Sequence, residues 1–259
     1  MTNTIQVAKK DHVATIVLNR PEKMNSLDYD GWIQLDQALR TLSDDDDVRC
    51  VVLHGAGGRA FSAGADISEF TTRRQNSEQA YAYGLVTQSA MDALANCRHP
   101  TIAMITGVCV GGGLELASVC DLRYSNASGR FGVPVNKLGL VLSYGEMRGL
   151  MRLVGPAIAM EIVLEGRVFD ADEALDKRLI NRIYPDETLG DAVMDIANTI
   201  AERAPLVNRW HKKFSRRLLD PAAITPEEWK ESYDCFDTED FRIGYQAFLN
   251  KEKPKFTGR

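Results

Sequence analysis

The sequence is poor in the residues on which the commonest catalytic motifs depend. It has only four histidines (His12, His54, His99 and His211), none in H-x-x-x-H spacing, and no C-x-x-C pair. No metal site is therefore expected. There is no G-x-x-x-x-G-K-[ST] segment, and Gly55-Ala56-Gly57 lacks the third glycine of a dinucleotide fingerprint. Neither Ser62 nor Ser143 stands in a G-x-S-x-G elbow. Phosphate-loop, hydride-transfer, metal-hydrolase and serine-elbow chemistries all lose support. Excess positive charge is also missing: Lys+Arg number 31 against 36 Asp+Glu, a net charge of -5. That balance argues against a nucleic-acid partner, which would call for a basic face. No apolar run approaches the roughly 20 residues of a membrane span. The amino end, MTNTIQVAKKDH, has none of the regions of a signal peptide. The five cysteines are widely spaced in mostly apolar surroundings and read as thiols in a reducing compartment. A cytoplasmic protein is expected, with no membrane partner.

What is present is an alternation of elements. Val13 to Leu18 is apolar and β-branched, ends at Asn19-Arg20-Pro21, and predicts a strand. From Asp28, apolar residues at Trp32, Leu35, Leu39 and Leu42 follow helical spacing. The run Asp44 to Asp47 reads as a solvated loop. Cys50 to Leu53 predicts a buried strand, and Ser77 to Ala95 a long helix stopped before Pro100. Thr101 to Thr106 predicts the next strand, and Leu114 to Cys120 a helix. From about Ser143 the pattern turns helical, with segments at Tyr144 to Val154, Pro156 to Glu165, Ala171 to Arg178 and Leu189 to Arg203. The whole is an α/β chain with mostly parallel pairing and a helical carboxyl-terminal region. The basic stretch His211 to Arg217 is expected on a solvated or subunit-facing surface.

Two small-residue segments follow predicted strands: Ala60 to Ile67, and Gly107 to Leu116 with its Gly111-Gly112-Gly113 triplet. Small residues let a ligand approach the backbone, and ligands gather at strand carboxyl ends in parallel folds. The triplet also opens a helix, whose first N–H groups have no internal acceptor.

These segments resemble the crotonase superfamily, the enoyl-CoA hydratase/isomerase family, over nearly the whole chain. Asn19 to Leu27 is similar to the family's early coenzyme A loop. Ala63-Gly64-Ala65-Asp66 and Gly111 to Ala117 are similar to its two oxyanion segments. Cys120-Asp121, Phe131-Gly132-Val133-Pro134, Leu138-Gly139, Leu164-Glu165-Gly166 and Phe248 to Phe256 continue the resemblance in order. It implies a ββα superhelix over residues 1–195, and a helical region over 196–259 that builds a homotrimer or hexamer. The apolar residues Trp210, Phe214, Trp229, Tyr233 and Phe236 are expected at those subunit contacts.

The resemblance also implies an acyl-CoA substrate and no separate cofactor, coenzyme A being part of the substrate. The thioester oxygen is expected between the backbone N–H groups of Ala65 and Gly112. Glu115, in the first turn of its helix, is the expected acid/base; complementing the helix dipole is the alternative use of such a glutamate. Substrate contacts are expected from Ala63, Val110, Gly111 and Val135, with adenine near Asp66 and Ile67 and pantetheine along Lys23 and Met24. Lys251 is a candidate cation for the phosphates, offered by another subunit.

The chain departs from the family at Val135, where hydratases carry a second glutamate after the proline of the Phe-Gly-x-Pro motif. The slot about eight residues later, acidic in some isomerases, is Ser143 here. Tyr144 is a candidate hydrogen-bond donor, as a tyrosine of this region is in family decarboxylases. Glu146 is either a second carboxylate or half of a capping box, since Ser143-Tyr144-Gly145-Glu146 fits S-x-x-E. A malonyl-type decarboxylase and a catalytically silent coenzyme A-binding or assembly protein are the alternatives to a hydratase or isomerase.

Overall fold

The computed structural model describes residues 3–259. An antiparallel hairpin, β1 (Ile5–Lys10) and β2 (Val13–Leu18), opens the chain. Helix α1 (Tyr29–Asp44) follows; the Asp28 carboxylate accepts from Gly31 N–H at 2.8 Å, satisfying one of its free first-turn donors. Its apolar stripe buries Trp32, Leu35, Leu39 and Leu42, as the periodicity predicts. Then come β3 (Cys50–Gly55), β4 (Ala60–Ser62), α2 (Phe70–Arg73) and α3 (Ser77–Asn96). The next turn of the superhelix is β5 (Thr101–Ile105), β6 (Val108–Val110) and α4 (Gly112–Val119). After it stand β7 (Leu122–Asn126), β8 (Arg130–Gly132), α5 (Tyr144–Glu165), β9 (Phe169–Asp170), α6 (Ala171–Asp176) and β10 (Arg182–Tyr184). Helices α7 (Leu189–Ala201), α8 (Pro205–Arg217), α9 (Pro226–Glu231) and α10 (Glu239–Asn250) close the chain.

The strands form a six-stranded sheet, β1-β2-β3-β5-β7-β10, and a four-stranded one, β4-β6-β8-β9. Each of β3, β5 and β7 lies in the first sheet and hands the chain to β4, β6 or β8 in the second. This repeated step is the ββα superhelix. Pairing is parallel except at β1/β2 and β8/β9.

The centre of the first sheet is buried on both faces. Val51 and Leu53 of β3 enter the main core with Trp32, Leu35 and Leu94, while Cys50 and Val52 meet Leu189, Val193 and Ala197 of α7. Double burial explains why β3 reads as a continuous apolar run rather than an alternating one. Because α7 covers this sheet, a boundary at residue 195 would cut through one continuous helix.

The structure refines several expectations. The strands of the second sheet leave no pattern of their own in the sequence, because two or three residues are too few to show a period of two. The expected separation of Tyr144 to Val154 from Pro156 to Glu165 is present, since Gly155 at φ 76° breaks the helical run of residues 144–165 between them. The segment Asp44 to Asp47 is solvated as expected, and it is also tied down: Asp45 accepts from Lys9 at 2.8 Å, and the exposed Asp46 pairs with Arg98 at 2.9 Å. The basic stretch is partly turned inward. Lys212 is buried, donates to the His99 carbonyl at 2.8 Å and pairs with Asp121 at 2.7 Å, pinning α8 to the sheet. Among the described residues no helix is long and apolar enough to cross a membrane.

His99 lies in this junction, fully buried, and burial pushes its pKa down from 6.5 to about 4, with Arg209, Arg98 and Lys212 adding to the effect. Between those two values the unfolded chain binds a proton that the folded chain refuses, so stability falls on acidification through that interval. Above 6.5 the contribution is complete. The interval corresponds to on the order of 3 kcal/mol. Urea unfolding of native protein and His99→Gln at pH 7.5 and 4.5 should show the native protein losing that much more stability on acidification. An equal loss in both would refute the assignment.

Candidate active site

The early loop and the segment after β4 are laced together by backbone. Ala63 N–H donates to Met24 O at 2.9 Å, Leu27 N–H to Gly64 O at 2.8 Å, and Asp66 N–H back to Leu27 O at 2.8 Å. The buried Ser62 hydroxyl donates to Asn25 O at 2.8 Å and accepts from Gly64 N–H at 3.0 Å. Ala65 N–H is skipped by this ladder and has no acceptor among the described residues. Across from it, Gly111 N–H donates to Gly132 O at 2.9 Å and Glu115 N–H to Gly111 O at 3.0 Å. Gly112 N–H, the first of α4, likewise has no acceptor among the described residues, as expected of a helix start.

The two loops touch. A methyl group on Gly64, at φ +89°, would stand 2.6 Å from Gly112 N, and one on Gly112 would stand 3.5 Å from Ala65 N. At Gly64 only a residue without a side chain allows that approach. Two free N–H groups are thereby set side by side at the carboxyl ends of β4 and β6, next to a cavity of about 310 Å³.

Glu115 lines the cavity one helical turn on, and is 4% exposed. Its carboxyl group makes no hydrogen bond among the described residues. Burial raises its pKa well above the ordinary 4.5; Glu146 adds to the rise and Arg74 opposes it. The other walls are mainly apolar: Ile67, Phe70, Val135, Leu138, Val141 and Leu142.

Of the residues expected at the site, the structure brings Ala63, Ala65, Ile67, Val110, Gly111, Gly112, Glu115, Val135 and Glu146 to this one cavity. It does not bring Tyr144. That side chain is 96% exposed, because the helix start turns it outward while Glu146 faces in. Both uses of Glu146 coexist: the capping box is formed, with Ser143 N–H donating to its carboxylate at 2.6 Å, and the same side chain lines the cavity. Asp66 is turned away as well. Its carboxylate pairs with Arg20 at 2.9 Å and accepts from Ser68, so it shapes the loop instead of facing the cavity. Lys23 and Met24 border the early loop outside the cavity, and Lys251 caps the far end of α10, away from the cavity of its own chain. Sequence reasoning missed Trp32, Phe70, Arg74 and Thr87, all on the cavity wall. Trp32 read only as core; nothing local marked the others.

Stacked ββα turns, with two glycine loops meeting beside one buried carboxyl group, define a crotonase-fold enzyme. A sequence profile described as enoyl-CoA hydratase/isomerase matches residues 8–259. The short-chain-enoyl-CoA hydratase of Clostridium acetobutylicum is 32% identical, covering 97% of this chain and 96% of that protein. The mitochondrial enoyl-CoA hydratase of Pongo abelii is 35% identical over 96% of this chain and 84% of its own. The crystal structure of an enoyl-CoA hydratase/carnithine racemase from Magnetospirillum magneticum superposes with a TM-score of 0.98 at 48% identity, covering 100% of this chain and 97% of that one. The chain belongs to the enoyl-CoA hydratase/isomerase family.

Proposed function

We propose that the protein moves protons on the acyl chain of a coenzyme A thioester through an oxyanion-stabilised enolate, as an enoyl-CoA hydratase or isomerase with Glu115 as its acid/base. One observation carries this reading: a buried carboxyl group beside two acceptor-free N–H groups in an apolar cavity. The thioester oxygen lies between Ala65 N–H and Gly112 N–H. As Glu115 takes a proton from carbon, the electron pair moves onto that oxygen, where the fixed donors stabilise it. Returning the proton at another carbon relocates the double bond. A desolvated carboxyl with a raised pKa is suited to both halves of this transfer.

Coenzyme A lies along Lys23, Met24 and Ile67, whose side chain is 55% exposed at the cavity mouth. Lys251 serves the phosphates of a neighbouring subunit. Exposed aromatics on the carboxyl-terminal helices (Trp229, Tyr233, Phe236 and Phe248) support a homotrimer or hexamer built on residues 196–259. Light scattering at micromolar concentration is expected to give a multiple of three; a monomer mass would overturn that assembly.

Val135 cannot accept a hydrogen bond from water, so hydration of crotonyl-CoA is expected to be weak relative to two-glutamate hydratases. Val135→Glu should raise it. A second reading rests on Glu146, which faces the same cavity and could hold the water in place of the missing glutamate. Glu146→Gln separates the two, because glutamine keeps the capping box while removing the carboxylate. Hydration that falls ~100-fold or more in this variant favours the two-carboxylate reading; an unchanged rate favours Glu115 alone. Product masses from enoyl-, 3-hydroxyacyl- and malonyl-type CoA esters complete the test. Gain or loss of water marks a hydratase, an unchanged mass with a moved double bond marks an isomerase, and loss of carbon dioxide would replace both by decarboxylation. Binding of coenzyme A with no product from any ester would overturn the catalytic reading.

A further inference from the structure

Arg74 is the only cation among the described residues that line the cavity. Its neighbour Arg73 turns away, pairing with Glu69 at 3.5 Å and lying over the Tyr29 ring at 4.4 Å. Arg74 instead lies over Phe70 at 4.5 Å and Tyr83 at 5.0 Å. Two aromatic faces thus hold the guanidinium, and it forms no ion pair among the described residues. Glu146 is engaged by Ser143 N–H at the helix start, and neither Glu146 nor Glu115 makes a hydrogen bond or ion pair with Arg74 among the described residues. Glu69, the nearest acid in sequence, is engaged by Tyr29 N–H at 2.8 Å and the Tyr83 hydroxyl at 3.0 Å.

A half-buried guanidinium among Ile67, Phe70, Leu138 and Val141 gains nothing from a purely hydrocarbon acyl chain. Its planar fork matches a carboxylate, and a charge-assisted pair is strongest where water is scarce. We propose that Arg74 selects acyl-CoA thioesters whose acyl chain itself carries a carboxylate at its far end. This rests on the acyl-CoA reading above and narrows it from acyl chains in general to dicarboxylic monothioesters.

The test uses ligands that need no turnover: glutaryl-CoA, butyryl-CoA and free coenzyme A, titrated calorimetrically into native protein, Arg74→Gln and Arg74→Lys. Native protein is expected to bind glutaryl-CoA at least about tenfold more tightly than butyryl-CoA. Arg74→Gln should abolish that ratio while leaving butyryl-CoA and coenzyme A unchanged. Arg74→Lys should keep part of it, since the charge survives and the fork does not. Equal binding of the two esters by native protein, or a preference that survives Arg74→Gln, overturns this inference alone. Equal weakening of all three ligands also overturns it, and assigns Arg74 to the phosphates of the coenzyme. Failure of native protein to bind any of the three overturns the acyl-CoA reading as well.

Discussion

Glu115→Gln is expected to lower turnover of any enolisable acyl-CoA by about 100–10,000-fold while leaving folding and coenzyme A binding in place. The amide is nearly the same size, so the cavity keeps its shape, but it cannot take up and return a proton. The native pH profile carries a second signature. Because burial and Glu146 raise the Glu115 pKa, the acidic limb of kcat/KM should lie above the ordinary carboxylate range. Glu146→Gln should move that limb down, by removing the negative charge that resists ionisation. Steady-state rates across pH on native protein and both variants check this. Substantial turnover in Glu115→Gln would show that another group moves the proton.

Gly64→Ala is expected to cost about 100–1,000-fold in rate, the typical effect of losing one oxyanion donor. Two physical reasons combine. The backbone at φ +89° suits glycine, and a methyl group there would stand 2.6 Å from Gly112 N, driving the two loops apart. Stability should fall too, by about 1–3 kcal/mol for a strained backbone position. Gly58→Ala is the control, since Gly58 has φ +67° but nothing within 4 Å of the added methyl. That variant should lose some stability and keep its rate. Equal activity in both variants would mean that contact between the loops is not what positions the donors.

The two loops and Glu115 were legible because each is a local feature, small residues after a strand and an acid in a first helical turn, whereas Val135 stood out only through the family resemblance. The Ala65 and Gly112 donors are backbone groups, so only the smallness of the side chains around them could be read. Their meeting was not local, and it followed from β4 and β6 pairing in the second sheet.

What the sequence determined by itself is the set of elements whose stability is mostly their own. Asp28 with Trp32, Leu35, Leu39 and Leu42 specifies α1 by capping and periodicity. Val13 to Leu18 specifies a strand, and Gly155 with Pro156 specifies the break in α5, because no neighbour is needed to forbid a helix there. The tertiary structure alone decided the rest. The three-residue strands β4, β6 and β8 exist only because they pair with one another, since so short a segment cannot hold an extended form unaided. Tyr144 points to solvent and Glu146 into the cavity because α5 packs in one orientation against the core. Lys212 looks like a surface cation until Asp121 and the His99 carbonyl surround it. Arg74 and Glu115, far apart in sequence, wall the same cavity because the end of α2 and the start of α4 flank it. Charge and periodicity are properties of a segment, whereas a partner is a property of the fold.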